Sequence, residues 1–569
     1  MRMTRRALGV LCAAITVSAP AFGAISLWAD NNTNATAGSG TTQITWTGTT
    51  AVWNKDSTGL NAQGVLVTTS ANPEADLFFY AGTDANDLNR VVSVGTSGAA
   101  ATVTARSLTL EEGSVTFNVS SQNSVVQLID ASDTGVSILN NSTSATNRKL
   151  GFNSSVALEF DDPLTLSGTG NTLDFQGPFR GIGNTTTSKT VTFNTKSQIV
   201  SFGAIEPAVS GTWKFNDDAT GTGTDVRFAA TTNRQNFGTG KLVTAGKVTI
   251  RTLSTGSLLG AGTYYTFANN GLDIGGTTTF FDNSNVNAQS IAINGPVTLT
   301  GAAGQRGLNV NGGNAATAFM VLRLNGALGE ETTGIGLIKG GSKGAAGPAV
   351  GTLELTQPST YTGPTTVASG TLKLLAGSSI SSSSGYGIAA GATLDASAVA
   401  PFVVGITKTL SGGGSITGGS LLGDLTVNGT VAPGASIGTL NVTGSVTLAG
   451  TSNFEIARTG GLLPAYDWDE LNATGTMTLG GVLNVTYDAT HTDALTAGDT
   501  FDLFDASAFA GSFTNINLPT LSSGLGWDVS QLGAGGTGSI SVVAVPEPST
   551  TFATGLTLSL VLRRRRATA

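Results

Sequence analysis

A short apolar phrase returns along this chain: Gly351-Thr352-Leu353-Glu354-Leu355 reappears as Gly370-Thr371-Leu372-Lys373-Leu374. It continues in looser form as Ala392-Thr393-Leu394, Thr409-Leu410, Leu425-Thr426-Val427-Asn428-Gly429 and Leu440-Asn441-Val442-Thr443-Gly444. Leucine thus recurs at 353, 372, 394, 410, 425 and 440, at intervals of 15 to 22 residues. Units that return with such a period are expected to stack as the coils of a solenoid, each burying its apolar side against the next. Within a unit, alternation over four or five residues puts Leu353 and Leu355, or Leu425 and Val427, on one face and leaves Thr and Asn outside. The fold class expected is all-β: an elongated parallel β-helix, or β-solenoid, with N- and C-terminal caps. Coils spaced by about 4.8 Å, about twenty to thirty of them, would make a rod on the order of 100 Å long.

Composition agrees with strands and tight turns. Of 569 residues 78 are glycine and only 11% are charged, so most polar surface is Thr, Ser and Asn, which disfavour helices. The 40% hydrophobic content suffices to bury a core. No Pro-rich or charged linker divides the chain, so one elongated architecture accounts for its length better than several globular domains.

The two ends read as export signals. Arg2, Arg5 and Arg6 precede the apolar stretch Ala7 to Val17 and the small residues Ser18 to Ala24, the order of a signal peptide over 1–24 cut by signal peptidase. The only cysteine, Cys12, falls inside that segment, so the mature chain has no disulfide and no cysteine-ligated metal. At the other end Pro546-Glu547-Pro548 is followed by the apolar run 550–562 and by Arg563, Arg564, Arg565 and Arg566, whose guanidiniums resist translocation. Thirteen apolar residues fall short of the roughly 20 of a full span, so a transient membrane contact is expected. Removing the seven terminal arginines from 28 Lys+Arg, and Glu547 from 36 Asp+Glu, leaves 21 against 35, a net of −14. Nucleic acid and anionic lipid are repelled by such a body.

The tail over 545–569 resembles the PEP-CTERM sorting signal. That resemblance implies a bacterial protein handed to an exosortase-type membrane enzyme, with Pro546, Glu547, Pro548 and the four arginines as sorting and processing residues. Residues 351–374, with Thr360-Tyr361-Thr362-Gly363-Pro364-Thr365-Thr366-Val367 between the two Gly-Thr-Leu phrases, resemble the autotransporter-associated beta strand repeat; Ser359 stands where an asparagine is usual. Ala432-Pro433-Gly434-Ala435-Ser436-Ile437-Gly438-Thr439-Leu440 is similar to the coil that often follows it, and Trp53-Asn54 with Asn72 to Phe79 to the amino-terminal stretch of such surface proteins. The implied fold is a parallel β-helix displayed outside the cell. The chain shows no closing series of amphipathic strands ending in an aromatic residue, so export is expected to depend on other machinery.

These readings divide the chain into a signal peptide (1–24), an N-terminal cap and first coils (25–100), a β-helix body (101–465), a C-terminal capping β region (466–544) and the sorting signal (545–569). Aromatics and acids concentrate in 466–544, as bulky cover for exposed strand edges would; Trp28, Trp46 and Trp53 offer similar cover at the other end.

Parallel β-helices also host polysaccharide lyases and glycoside hydrolases, so the fold alone does not exclude catalysis. His491 is the only histidine and sits in an apparent turn, Asp488 to Asp493, where solvation is expected. The doublets Glu111-Glu112, Asp161-Asp162 and Asp217-Asp218 place neighbouring acids on opposite strand faces, which favours corner roles over a catalytic pair. Asp467, Asp469 and Glu470, and the series Asp499, Asp502 and Asp505, offer oxygen ligands to calcium but lack its loop signatures, and solvated turns are expected. Gly412-Gly413-Gly414 and Gly334 to Gly347 lack the Gly-Lys-Ser/Thr ending of a phosphate loop. No catalytic residue, metal ligand or cofactor is assigned. The expected function is a structural or adhesive element of the cell surface or extracellular matrix, with extracellular polysaccharide or neighbouring surface proteins as partners. A β-helical polysaccharide-degrading enzyme is the alternative, marked by a groove with two facing acids.

Overall fold

A computed structural model of the chain describes residues 25–546 apart from short stretches, the longest being 30–42, 55–69, 80–88, 230–238 and 254–263. Residues 1–24 and 547–569 lie outside the described residues, and with them Glu547, Pro548 and Arg563 to Arg566; Pro546 is exposed at their edge. Among the described residues the regular structure is strand, with one short 3-10 turn at Ser397–Val399, and no helix is long and apolar enough to cross a membrane.

Alternation sets the local structure. Strands such as Ser124–Leu128, Val136–Asn140 and Leu242–Ala245 bury every second side chain, so each is half core and half surface. The chain turns a corner after each strand and returns beside its previous coil, giving three sheet faces wound in constant order. The first face runs from Ser26–Ala29 and Asp76–Phe79 to Leu328–Glu330 in a 12-stranded sheet. The second runs nearly the whole length, from Gln43–Trp46 to Asn515–Asn517, and does not close on itself. The third begins as the four strands from Thr102–Ala105 to Phe179–Arg180 and resumes from Tyr264–Phe267 through Thr352–Leu355 to Glu470–Leu479. In the C-terminal half Phe402–Val404, Leu425–Val427 and Val446–Leu448 take the first face's turn in the winding order. Pairing along the coils is parallel, the arrangement expected of a β-helix.

The winding corrects the repeat arithmetic. Leu353, Leu372, Leu394 and Leu421 stand above one another in the third face, and Leu322 continues the column backward. Leu410 lies in the second face and Leu425 in the strands that follow the first. The 15-residue intervals therefore measure the distance between faces of one coil. First-face strands from Asp76–Phe79 to Leu328–Glu330 start 22 to 31 residues apart. Among the described residues the second face holds 19 strands, of which Ala465–Trp468 is antiparallel. A stack of the other eighteen spans about 80 Å at ~4.8 Å per coil, fewer coils and a shorter rod than the sequence suggested.

In-register stacking puts like on like in the core. Phe117, Phe152, Phe175 and Phe202 form one column along the second face, with ring centroids 4.8, 5.5 and 5.5 Å apart and rings within 24° of parallel. Phe193 stacks on Phe215 at 4.4 Å in the first face. Each such buried side chain contributes about 1.5–3 kcal/mol. Trp46, expected at the N-terminal end, is fully buried against Phe117. The strand Trp53–Asn54 pairs antiparallel with Ser26–Ala29 at the edge of the first face.

At the C-terminal end Val482–Tyr487, Phe504–Gly511 and Asn515–Asn517 still wind as coils. An antiparallel sheet of Thr500–Asp502, Leu525–Asp528 and Ser539–Ala544 packs beside them, burying Phe501, Leu503, Ile540 and Val542.

Candidate functional site

A cleft of about 880 Å³ opens on the last turns of the second face. Its floor is made by Thr451–Thr459, Val482–Tyr487 and Asn515–Asn517, which lie parallel and in register. Phe454, Ile456, Leu483 and Val485 alternate into the core, so Asn453, Glu455, Asn484 and Thr486 face out. Register then sets Asn453, Asn484 and Asn517 side by side. Asn484 Nδ2 donates to Asn453 Oδ1 at 2.9 Å, and Asn517 Nδ2 donates to Asn484 Oδ1 at 2.7 Å. One wall is the turn carrying Pro433, Gly434 and Ser436; the other is Leu518, Pro519 and the ring of Tyr487. Gly434 has φ +87°, and a Cβ there would lie 1.9 Å from the Ser436 carbonyl oxygen, so this wall requires glycine.

Two carboxyl groups line the cleft. Asp469 is 2% exposed; its Oδ1 accepts the Gly438 N–H and its Oδ2 the Glu455 N–H, each at 2.8 Å. Burial pushes its pKa up to about 8, against the pull of those two bonds, and the charges of Glu455 and Asp488 add to the rise. Glu455 is raised by burial and by Asp488. Asp488 is held down to about 2 by the hydroxyls of Ser436 and Thr490 and by the Thr490 N–H. Asp469 therefore keeps its proton near neutrality, while Asp488, which accepts the hydroxyl of Ser436 from the cleft wall, has lost its own.

The singled-out residues fall around this site unevenly. His491 follows a turn: its N–H donates to the Asp488 carbonyl, its Nδ1 accepts the Arg458 N–H at 3.1 Å, and its ring lies flat on Tyr487 at 4.2 Å. It is half-buried and structural rather than solvated. Asp469, expected in a solvated turn, is buried because the strand Ala465–Trp468 folds back antiparallel on Thr451–Thr459 and carries it under the Pro433 turn. Asp467 stays exposed, and Glu470 starts a strand of another face. Asp499 is likewise buried, 3.3 Å from the Arg458 guanidinium and bonded to the Tyr466 hydroxyl and the Thr496 N–H. Among the described residues no three acids or histidines gather in a metal-binding group.

Of the acid doublets, only Asp161-Asp162 lies wholly among the described residues. Asp161 is exposed at a corner, and Asp162 accepts the Asp130 N–H at 3.0 Å. Glu111 is half-buried, whereas Glu112, Asp217 and Asp218 lie outside the described residues, as do Gly413, Gly414 and 343–347. The sequence reading missed Glu455 and the amide ladder. The usable signal was an asparagine followed by an apolar residue, in Asn453-Phe454, Asn484-Val485 and Asn517-Leu518, spaced by 31 and 33 residues like the coils. No family model, curated protein or solved structure matches this chain.

Proposed function

We propose that this chain is an exported bacterial cell-surface or extracellular-matrix protein, a structural or adhesive rod sorted by an exosortase-type enzyme through Pro546, Glu547, Pro548 and Arg563 to Arg566. The observation that carries this reading is the unbroken second face, which gives the molecule one stiff axis with outward Thr, Ser and Asn at many positions, interrupted by paired charges such as Lys149 with Asp174 and Arg227 with Asp225. A parallel stack hydrogen-bonded from end to end holds its ligand-facing side chains at fixed spacing, which suits many weak contacts to a polymer or to neighbouring rods. The tripartite tail supports the sorting route. Signal peptidase and the sorting enzyme are its processing partners, and 550–562 is its transient membrane contact.

Fractionation of cells carrying the full chain or a chain lacking 545–569 tests the proposal. The full chain is expected in the surface and extracellular fractions and the shortened one in the periplasm; identical distributions refute the sorting role.

One observation favours the enzyme alternative: Glu455 and Asp469 line a single cleft. Against a catalytic pair, both Asp469 oxygens are engaged by backbone N–H groups, which makes it a clamp between the Pro433 turn and the floor. Release of reducing ends from polysaccharide by the purified chain, abolished in Glu455→Gln, would establish the alternative.

A further inference from the structure

The geometry points to the cleft over Asn453, Asn484 and Asn517 as a binding site for an uncharged polysaccharide segment lying along the rod axis. This rests on the adhesive reading above and gives it a ligand class and a location.

Spacing is the first argument. Successive coils present one amide each, about 4.8 Å apart, a repeat close to the length of one pyranose unit. Asn484 uses one N–H and one carbonyl lone pair inside the ladder, which leaves a second N–H and a second lone pair facing out. Asn453 and Asn517 are exposed at the ends. A sugar hydroxyl donates and accepts at once, so a row of amides that also does both is its complement.

Charge is the second. Among the described residues no Lys or Arg lines the cleft, so none of them compensates a phosphate, sulfate or uronate. Glu455 is the lining carboxyl whose oxygens no backbone N–H is shown to engage, and a carboxyl oxygen accepts hydroxyl hydrogens. Burial holds Asp469 protonated near neutral pH, which lowers the cost of bringing an uncharged ligand over the wall.

Shape is the third. Pro433 on one side and Leu518, Pro519 and Tyr487 on the other give the polar floor apolar flanks, as the C–H faces of a sugar ring require. Tyr487 is fixed in place by its stack on His491 and by its hydroxyl, which donates to the Thr520 carbonyl at 3.2 Å. The floor is rigid sheet, so ordering it on binding costs little.

The test uses the whole chain and uncharged hexasaccharides of glucose and of N-acetylglucosamine, with hexagalacturonate as the charged comparison, read by calorimetry and by product analysis. At least one uncharged probe is expected to bind. Asn484→Ala and Asn517→Ala should each weaken it about tenfold, the loss of one or two hydrogen bonds. Asn216→Ala, which removes an exposed amide pair with Asn194 on a distant coil, should not. Unchanged affinity in both cleft variants, or preference for hexagalacturonate, overturns the site. If the full chain adheres to a cell-surface polymer while the cleft variants adhere equally, the cleft fails and the adhesive reading stands. Cleavage of a probe, lost in Glu455→Gln, keeps the cleft as a sugar site and overturns the non-catalytic reading. Thermal melts confirm that each variant is folded.

Discussion

Lys339 shows what a winding chain does to a single residue. It lies in Ile335–Gly340 on the inward side of the second face, fully buried, and its ammonium donates to the carbonyl oxygens of Gly340 and Ser369 at 2.9 and 2.8 Å. Burial lowers its pKa to about 7. Because the unfolded lysine holds its proton to about 10.4, the folded state binds fewer protons from pH 7 upward, and stability rises with pH over that window. The penalty is complete below pH 7 and gone above the unfolded value. Lys339→Met removes the penalty but leaves two carbonyls unsatisfied, at about 1–3 kcal/mol. The variant should therefore be about 2 kcal/mol more stable than the parent at pH 6 and less stable by a similar amount at pH 10.5. Urea midpoints at the two pH values check this; a difference of one sign at both refutes it. Nothing in Gly-Leu-Ile-Lys-Gly marks its lysine as buried, since alternation puts it on the core side only if Leu337 is there too. Asp469 and Glu455 are similarly opaque, because a strand that doubles back decides their surroundings.

At the scale of strands, more was legible. The alternating apolar pairs at Leu353 and Leu355, and at Leu425 and Val427, are buried as the pattern requires. Period 2 is a property of one strand and survives any arrangement of strands. The interval between repeats is not, because it sums corners of variable length, so a 15-residue step between faces looks like a repeat. The phenylalanine column is legible only afterwards, since Phe117, Phe152, Phe175 and Phe202 are unevenly spaced in sequence and equally spaced in the stack. Phe152 and Phe175 each lie between rings above and below. Phe152→Ala should cost about 3–5 kcal/mol, with little collapse to fill the gap, since hydrogen-bonded strands fix the coil spacing. Phe152→Leu, which keeps most of the volume, should cost about a third of that. A denaturation series in which Phe152→Ala costs under 1 kcal/mol would show that the column is not close-packed.

For the whole molecule, the order of faces matters more than the length of the insert. Thr352 to Leu355 sit directly under Thr371 to Leu374, so the residues from Thr352 to Gly370 make one full coil. Duplicating 352–370 in tandem would return the chain to the same face, over a coil of the same sequence, and lengthen the rod by about 4.8 Å. Both existing interfaces keep their partners, including Glu354 with Arg323 below and Lys339 with Ser369. Stability in a stack is close to a sum over neighbouring coils, so this variant should melt cooperatively within a few degrees of the parent. Duplicating 410–424 inserts a shorter segment that fails on topology. Leu410 belongs to the second face and Leu425 to the strands in the first face's turn, so the copy presents a second-face strand where the winding requires the other. Its apolar side chains then face solvent and its strand edge finds no partner, which invites proteolysis and aggregation. Limited proteolysis should leave the first variant intact and cut the second at the inserted segment. Equal resistance of the two would mean that the 15-residue interval is a true coil, and the three-faced winding would have to be abandoned.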